Sequence, residues 1–160
     1  MGFSERAVAR LCKDFDRGEV RESTIRDILR CDFANVLMVI PFLEHALPSV
    51  RSAASRVVAA KGDPNIVIDK IQEESSEEVI RVMLSALGVR GEGNLENLVF
   101  LLQEEEWSIL RGAATDMFRM AGREDCLLPL LFSRSDFDVD LAKRCINEQK
   151  RRTEKNSSTR

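Results

Sequence analysis

A chain of 160 residues with 44% hydrophobic and 32% charged side chains is long enough to bury one core without disulfides or metals. Aromatics make up only 6%, with one Trp and no Tyr, which favours a helical protein filled with Ala, Leu, Val and Ile over a β-sandwich or barrel. The net charge is −3, and the longest uninterrupted apolar run, residues 36–43, is far too short to span a bilayer.

Cys12, Cys31, Cys126 and Cys145 show no C-x-x-C spacing, and His45 is the one histidine that could join them. That pattern disfavours a structural zinc site and reads as buried free thiols in a reducing compartment, so a cytoplasmic protein without metal or cofactor is expected.

Taken in order, segments of helical length cover residues 4–17, 19–31, 33–46, 49–61, 64–74, 77–87, 95–105, 107–121, 125–132 and 137–152. In the first, Ala7, Leu11, Cys12 and Phe15 share one face, and Gly18 supplies a stop. Ser49 and Asn94 are candidate N-caps, Pro64 suits a first turn, and Gly62, Gly88 and Gly122 are expected at helix ends. The spacing predicts helical hairpins over residues 1–148, with 1–18 as a capping helix. Residues 149–160 hold five bases, one Glu and too few apolar groups to pack, and read as a basic, disordered tail.

An internal repeat of thirty residues runs through the chain. An aliphatic–Arg pair recurs at Val20-Arg21, Val50-Arg51, Ile80-Arg81 and Leu110-Arg111. Residues 50–62 lie over residues 110–122 with Arg, Ala-Ala and Gly in register. The small Ala53, Ala54, Ala113 and Ala114 allow close helix approach, and a single hairpin cannot bury both of its apolar faces, so neighbours must stack on it.

These residues resemble the HEAT-like repeat family, above all its short version in phycobilin lyase subunits. The stretch Val39-Ile40-Pro41-Phe42-Leu43-Glu44-His45-Ala46-Leu47-Pro48-Ser49-Val50-Arg51-Ser52-Ala53-Ala54 is similar to the junction between one such repeat and the next. The resemblance covers about residues 19–148 and implies an all-α fold, a right-handed α-solenoid of about four to five helical hairpins. It carries over no catalytic residue. In such repeats Arg51, Arg81 and Arg111 would form a structural ladder against acids or carbonyls of the adjacent repeat.

His45 has no Ser, Cys or carboxylate in a triad-like context and is read as a capping or surface group. Residues 88–93 contain several glycines but no following Lys-Ser/Thr, so they form a turn and not a phosphate loop. The charge pattern says more. Between Asp69 and Glu106 ten acids face three bases, and Glu44, Glu74 and Glu104 recur at the repeat period. An acidic ridge through Glu44, Glu73, Glu74, Glu104, Glu105 and Glu106, with Trp107 beside it as packed staple or binding anchor, is the candidate partner-binding surface. The same acids disfavour nucleic acid. The expected function is a non-enzymatic adaptor that binds another protein, a basic surface on the partner complementing the ridge. The alternative, implied by the resemblance alone, is a lyase-type or chaperone-type subunit handling a bilin chromophore.

Overall fold

The computed structural model describes residues 2–103 and 108–132, together with positions 139, 140, 142–144, 146, 147, 151 and 154. Every element among them is helical. Four long helices form the frame: α1 (Phe3–Asp16), α3 (Pro48–Lys61), α5 (Glu77–Arg90) and α7 (Ser108–Met120). Shorter helices lie between them: α2 (Glu22–Arg30), α4 (Pro64–Ile71) and α6 (Phe100–Gln103). Three segments wind as 3₁₀ helices, Leu37–Glu44, Leu95–Leu98 and Glu124–Phe132.

Three of the expected helices wind as 3₁₀ helix over part or all of their described length. Pro41 sits inside Leu37–Glu44 and Pro129 lies within Glu124–Phe132. A proline removes the amide that an α-helix needs four residues on, and the tighter winding accommodates it in a short piece. The remaining one, expected over 95–105, divides into Leu95–Leu98 and α6.

The caps also differ from expectation in places. α3 begins at Pro48 with Leu47 before it, so Ser49 is a first-turn residue and not the cap. α5 runs through Gly88 to Arg90 and stops at Gly91, whose φ of 69° closes the helix in the left-handed conformation. Ser76 opens α5 by accepting the Val79 amide, and Asp63 opens α4 by accepting that of Asn65. The Asn94 side chain caps nothing, but the residue's backbone N–H donates to Asn65 Oδ1 at 2.8 Å.

The long helices pack on one another in the order α3, α5, α7, the most extensive contacts among the described residues, and α2 joins the row beside α3. Leu37–Glu44 packs on α3, α4 fills the angle between α3 and α5, and α6 packs on α7. One continuous core results, with Leu11, Phe15, Ile25, Val57, Ile68, Leu84, Leu98 and Phe118 fully buried. α1 covers the end of the row through Leu11 and Phe15, and Phe15 meets Phe42 edge to face at 5.3 Å.

Equivalent polar contacts recur along the row. Ser55 donates to the Arg51 carbonyl at 2.6 Å, and Thr115 donates to the Arg111 carbonyl at 2.8 Å. The Lys61 ammonium donates to the carbonyl of Cys31, and the Arg90 guanidinium to that of Ala60, each spanning 30 residues. Each cation thus covers a carbonyl that the end of a preceding helix, α2 or α3, leaves open. Among the described residues no helix is long and apolar enough to cross a membrane.

Candidate functional site

The expected site residues separate into three groups. Arg51 and Glu74 meet in a two-pronged ion pair, Nε to Oε2 at 2.9 Å and Nη2 to Oε1 at 3.0 Å. Arg51 Nη1 also donates to the carbonyls of His45 and Ala46, and Glu74 Oε1 accepts the Ser76 amide. Only 2% of the Glu74 side chain is exposed. Burial alone would raise its pKa, but the hydrogen bonds from Arg51 and Ser76, with the charges of Arg51 and Lys70, outweigh it and hold the carboxyl below the usual range. The bond to Glu74 raises Arg51 in turn.

Glu74 therefore cannot form the middle of an exposed ridge. Its chain position repeats that of Glu44, yet the two carboxylates do different things. Glu44 and Glu73 are exposed and share the Lys70 ammonium, at 2.5 and 3.4 Å. The bond to Glu44, more than the weaker one to Glu73, raises the Lys70 pKa. The acids here are partners for bases. Glu104, Glu105, Glu106 and Trp107 lie outside the described residues.

The arginines expected as a ladder are likewise unequal. Arg21, which repeats Arg51 one period earlier, turns back to Asp14 of α1 at 3.5 Å and to Glu19 at 3.2 Å. Arg81 is exposed on α5 and makes no ion pair among the described residues. Arg111 is half-buried on α7.

His45 follows the Leu37–Glu44 segment, and its Nδ1 accepts the Leu47 amide at 3.1 Å. This makes it a turn-forming group beside the Phe42 ring. Burial raises the thiols of Cys12 and Cys126 above their ordinary pKa, which keeps both protonated. Cys31 is half-buried, and the Cys145 side chain lies outside the described set. Among the described residues no group of three His, Cys, Asp or Glu is arranged to hold a metal ion.

A separate concavity is lined by none of these residues. A groove of about 580 Å³ opens between α3 and α5, with α2 at one end. Leu29, Ala60, Val82, Ala86 and Val89 make it apolar, and Arg56 and Lys61 stand on its rim. Val82, Ser85, Ala86 and Val89 follow the spacing of one helix face, opposite the stripe of α5 that is buried in the core. α5 is thus apolar on two sides and covered on one. A second groove of about 450 Å³ continues between α5 and α7, past Arg81, Ala113 and Met120. Sequence periodicity marked α5 as apolar, but it carries no information about which apolar side acquires a neighbour.

No family model, curated protein or solved structure matches the chain, so no site residue is assigned by relationship.

Proposed function

We propose that the chain is a non-enzymatic protein-binding module built as a right-handed solenoid of HEAT-like hairpins, a curved adaptor surface for another protein. The repeating contacts support the solenoid part of this reading. Lys61 and Arg90 each reach back 30 residues, to carbonyls at the ends of α2 and α3, much as stacked copies of one unit would. The binding part is carried by one observation: the row of long helices leaves its apolar α3–α5 groove open to solvent, with Val89 76% exposed. An exposed, contiguous apolar strip of this kind marks an interaction surface. The exposed carboxylates Glu44 and Glu73 add an acidic character that a basic partner would complement.

Capture from native extract tests the reading, with wild-type protein compared against a Val82→Asp, Val89→Asp double variant of unchanged melting temperature. A stoichiometric protein held by the wild type and lost from the variant is the expected result. Failure of the wild type to retain any protein overturns it.

One observation favours the alternative of a bilin-handling subunit. The groove volume falls in the range of small-molecule sites, and Arg56 and Lys61 could meet propionate groups at its rim. A shifted, intensified bilin absorbance on mixing is the outcome that would prefer it.

A further inference from the structure

We infer that the α3–α5 groove receives a short amphipathic helix whose flanks are acidic, supplied by a partner protein. The inference rests on the protein-binding reading and adds the surface and the chemistry of the partner.

The shape of the groove comes first. Its apolar strip on α5 runs from Val82 to Val89. At the α-helical rise of about 1.5 Å per residue, that strip is roughly 10 Å long, two turns of helix. Across it, Ala60, Ser85 and Ala86 are small, so the floor is low and larger side chains can settle on it from above. A helix presenting apolar anchors one and two turns apart fits such a floor, whereas a flat sheet edge would find no free backbone to pair with.

Charge then selects among helices. Arg56 and Lys61 line the groove and no carboxylate does. Both cations are fixed in place, Arg56 by Glu22 at 2.6 Å and Lys61 by the Cys31 carbonyl. On α2, Arg26 lies one turn from Leu29 and is exposed, and Arg30 adjoins it. Glu22 already neutralises Arg56, so it is chiefly Lys61, bonded to a neutral carbonyl, that complements acids flanking an apolar face. The adjoining α5–α7 groove lacks this character, because Glu78 and Asp116 line it together with Arg81. A nucleic acid would use the cations but leave Val82, Ala86 and Val89 without partners.

Two synthetic helical peptides of about sixteen residues probe the groove, each with leucines at positions one, four, five and eight of its central turns. One carries glutamates beside the leucines and the other lysines. Methyl resonances of Leu29, Val82 and Val89 in the full chain report binding. The glutamate peptide is expected to shift these methyls and to bind about tenfold more tightly than the lysine peptide, a preference that shrinks as salt is raised. Val89→Asp, at an exposed position, should weaken it about tenfold, while Met120→Asp in the neighbouring groove should not. Equal binding of the two peptides, shifts confined to other methyls, or indifference to Val89→Asp would overturn the inference. So would displacement of the glutamate peptide by a single-stranded oligonucleotide, which would make this a polyanion site. Failure of the peptides alongside successful capture of a native protein would reject the groove assignment and leave the module reading standing.

Discussion

Arg51 grips Glu74 with two hydrogen bonds across 23 residues of chain, while Glu73, one position earlier, reaches into solvent with 73% of its side chain exposed. The pair ties four elements together. Arg51 belongs to α3, it also holds the carbonyls that end the Leu37–Glu44 segment, and Glu74 bridges the end of α4 to the start of α5 through Ser76. Adjacent glutamates thus have unrelated tasks.

That contrast gives the first prediction. Glu74→Gln leaves Arg51 without its counter-charge in a nearly dry site, and losing one partner of such a pair costs roughly 3 kcal/mol. For a chain of this size the melting temperature should fall by roughly 6–12 °C. Glu73→Gln weakens only an exposed contact with Lys70 and should change stability by less than about 0.5 kcal/mol. Thermal melts of the two variants decide the matter, and equal shifts would show that the burial difference has no energetic content.

The same pair makes stability depend on acid. Glu74 in the folded chain holds its proton less readily than an ordinary glutamate, because Arg51 and the Ser76 amide favour the carboxylate against the opposing effect of burial. As pH falls, the unfolded chain takes up this proton first. The contribution is therefore complete at neutral pH, begins to fade near the unfolded glutamate value of about 4.3, and is lost as pH passes below the folded value. The gap in melting temperature between wild type and Glu74→Gln should narrow over that acidic window and stay constant above it. Parallel curves down to the acid limit would contradict the shift.

How far the sequence foretells these features differs from residue to residue. The thirty-residue repeat is legible: residues 50–62 and 110–122 become parts of α3 and α7, and Ser55 and Thr115 repeat one hydrogen bond to the arginine carbonyl four residues before. The shorter segments are less legible, since apolar spacing looks alike in an α-helix and in a 3₁₀ helix wound around Pro41. Charge spacing places Glu44 and Glu74 at equivalent points but cannot separate an exposed carboxylate from a buried one. That difference depends on Arg51 arriving from α3 in the folded state. The groove was not legible for a related reason: Val82, Ala86 and Val89 have the residue types and spacing of core.

A further test concerns the back-reaching cations. Lys61→Met and Arg90→Met keep much of the aliphatic stem but withdraw the donor from the carbonyls of Cys31 and Ala60. A hydrogen bond from a charged donor contributes about 1.5–3 kcal/mol, and water can reach these partly exposed carbonyls, so about 1 kcal/mol of destabilisation is expected for each. Because the two contacts lie on successive repeats and share no partner, the double variant should show nearly the sum. Urea melts measure this, and a double variant no less stable than either single one would show that the two contacts do not act as separate ties between repeats.

Gly88 provides the last prediction, because it fixes how closely α5 and α7 approach. A Cβ at this buried position would lie 3.2 Å from Met117 Cα, 3.3 Å from its carbonyl oxygen and 3.3 Å from Met120 Cβ. Two of those three neighbours are backbone, which can yield only if the whole of α7 moves. That helix is held by the fully buried Leu110, Ala114 and Phe118, so displacement would disturb the core. Replacing Gly88 with Ala relieves a helix-interior glycine of its entropic penalty, a gain of about 1 kcal/mol, against a modest steric cost. The result should be nearly neutral. Gly88→Val adds two methyl groups at the crossing and should destabilise by about 1–3 kcal/mol. Hydrogen exchange locates the damage: amides of α7 should exchange faster in the valine variant while those of α3, on the far side of α5, keep their protection. Equal stability of the alanine and valine variants would mean that the helices have room to part, and that the close approach at Gly88 is incidental to the packing of the row.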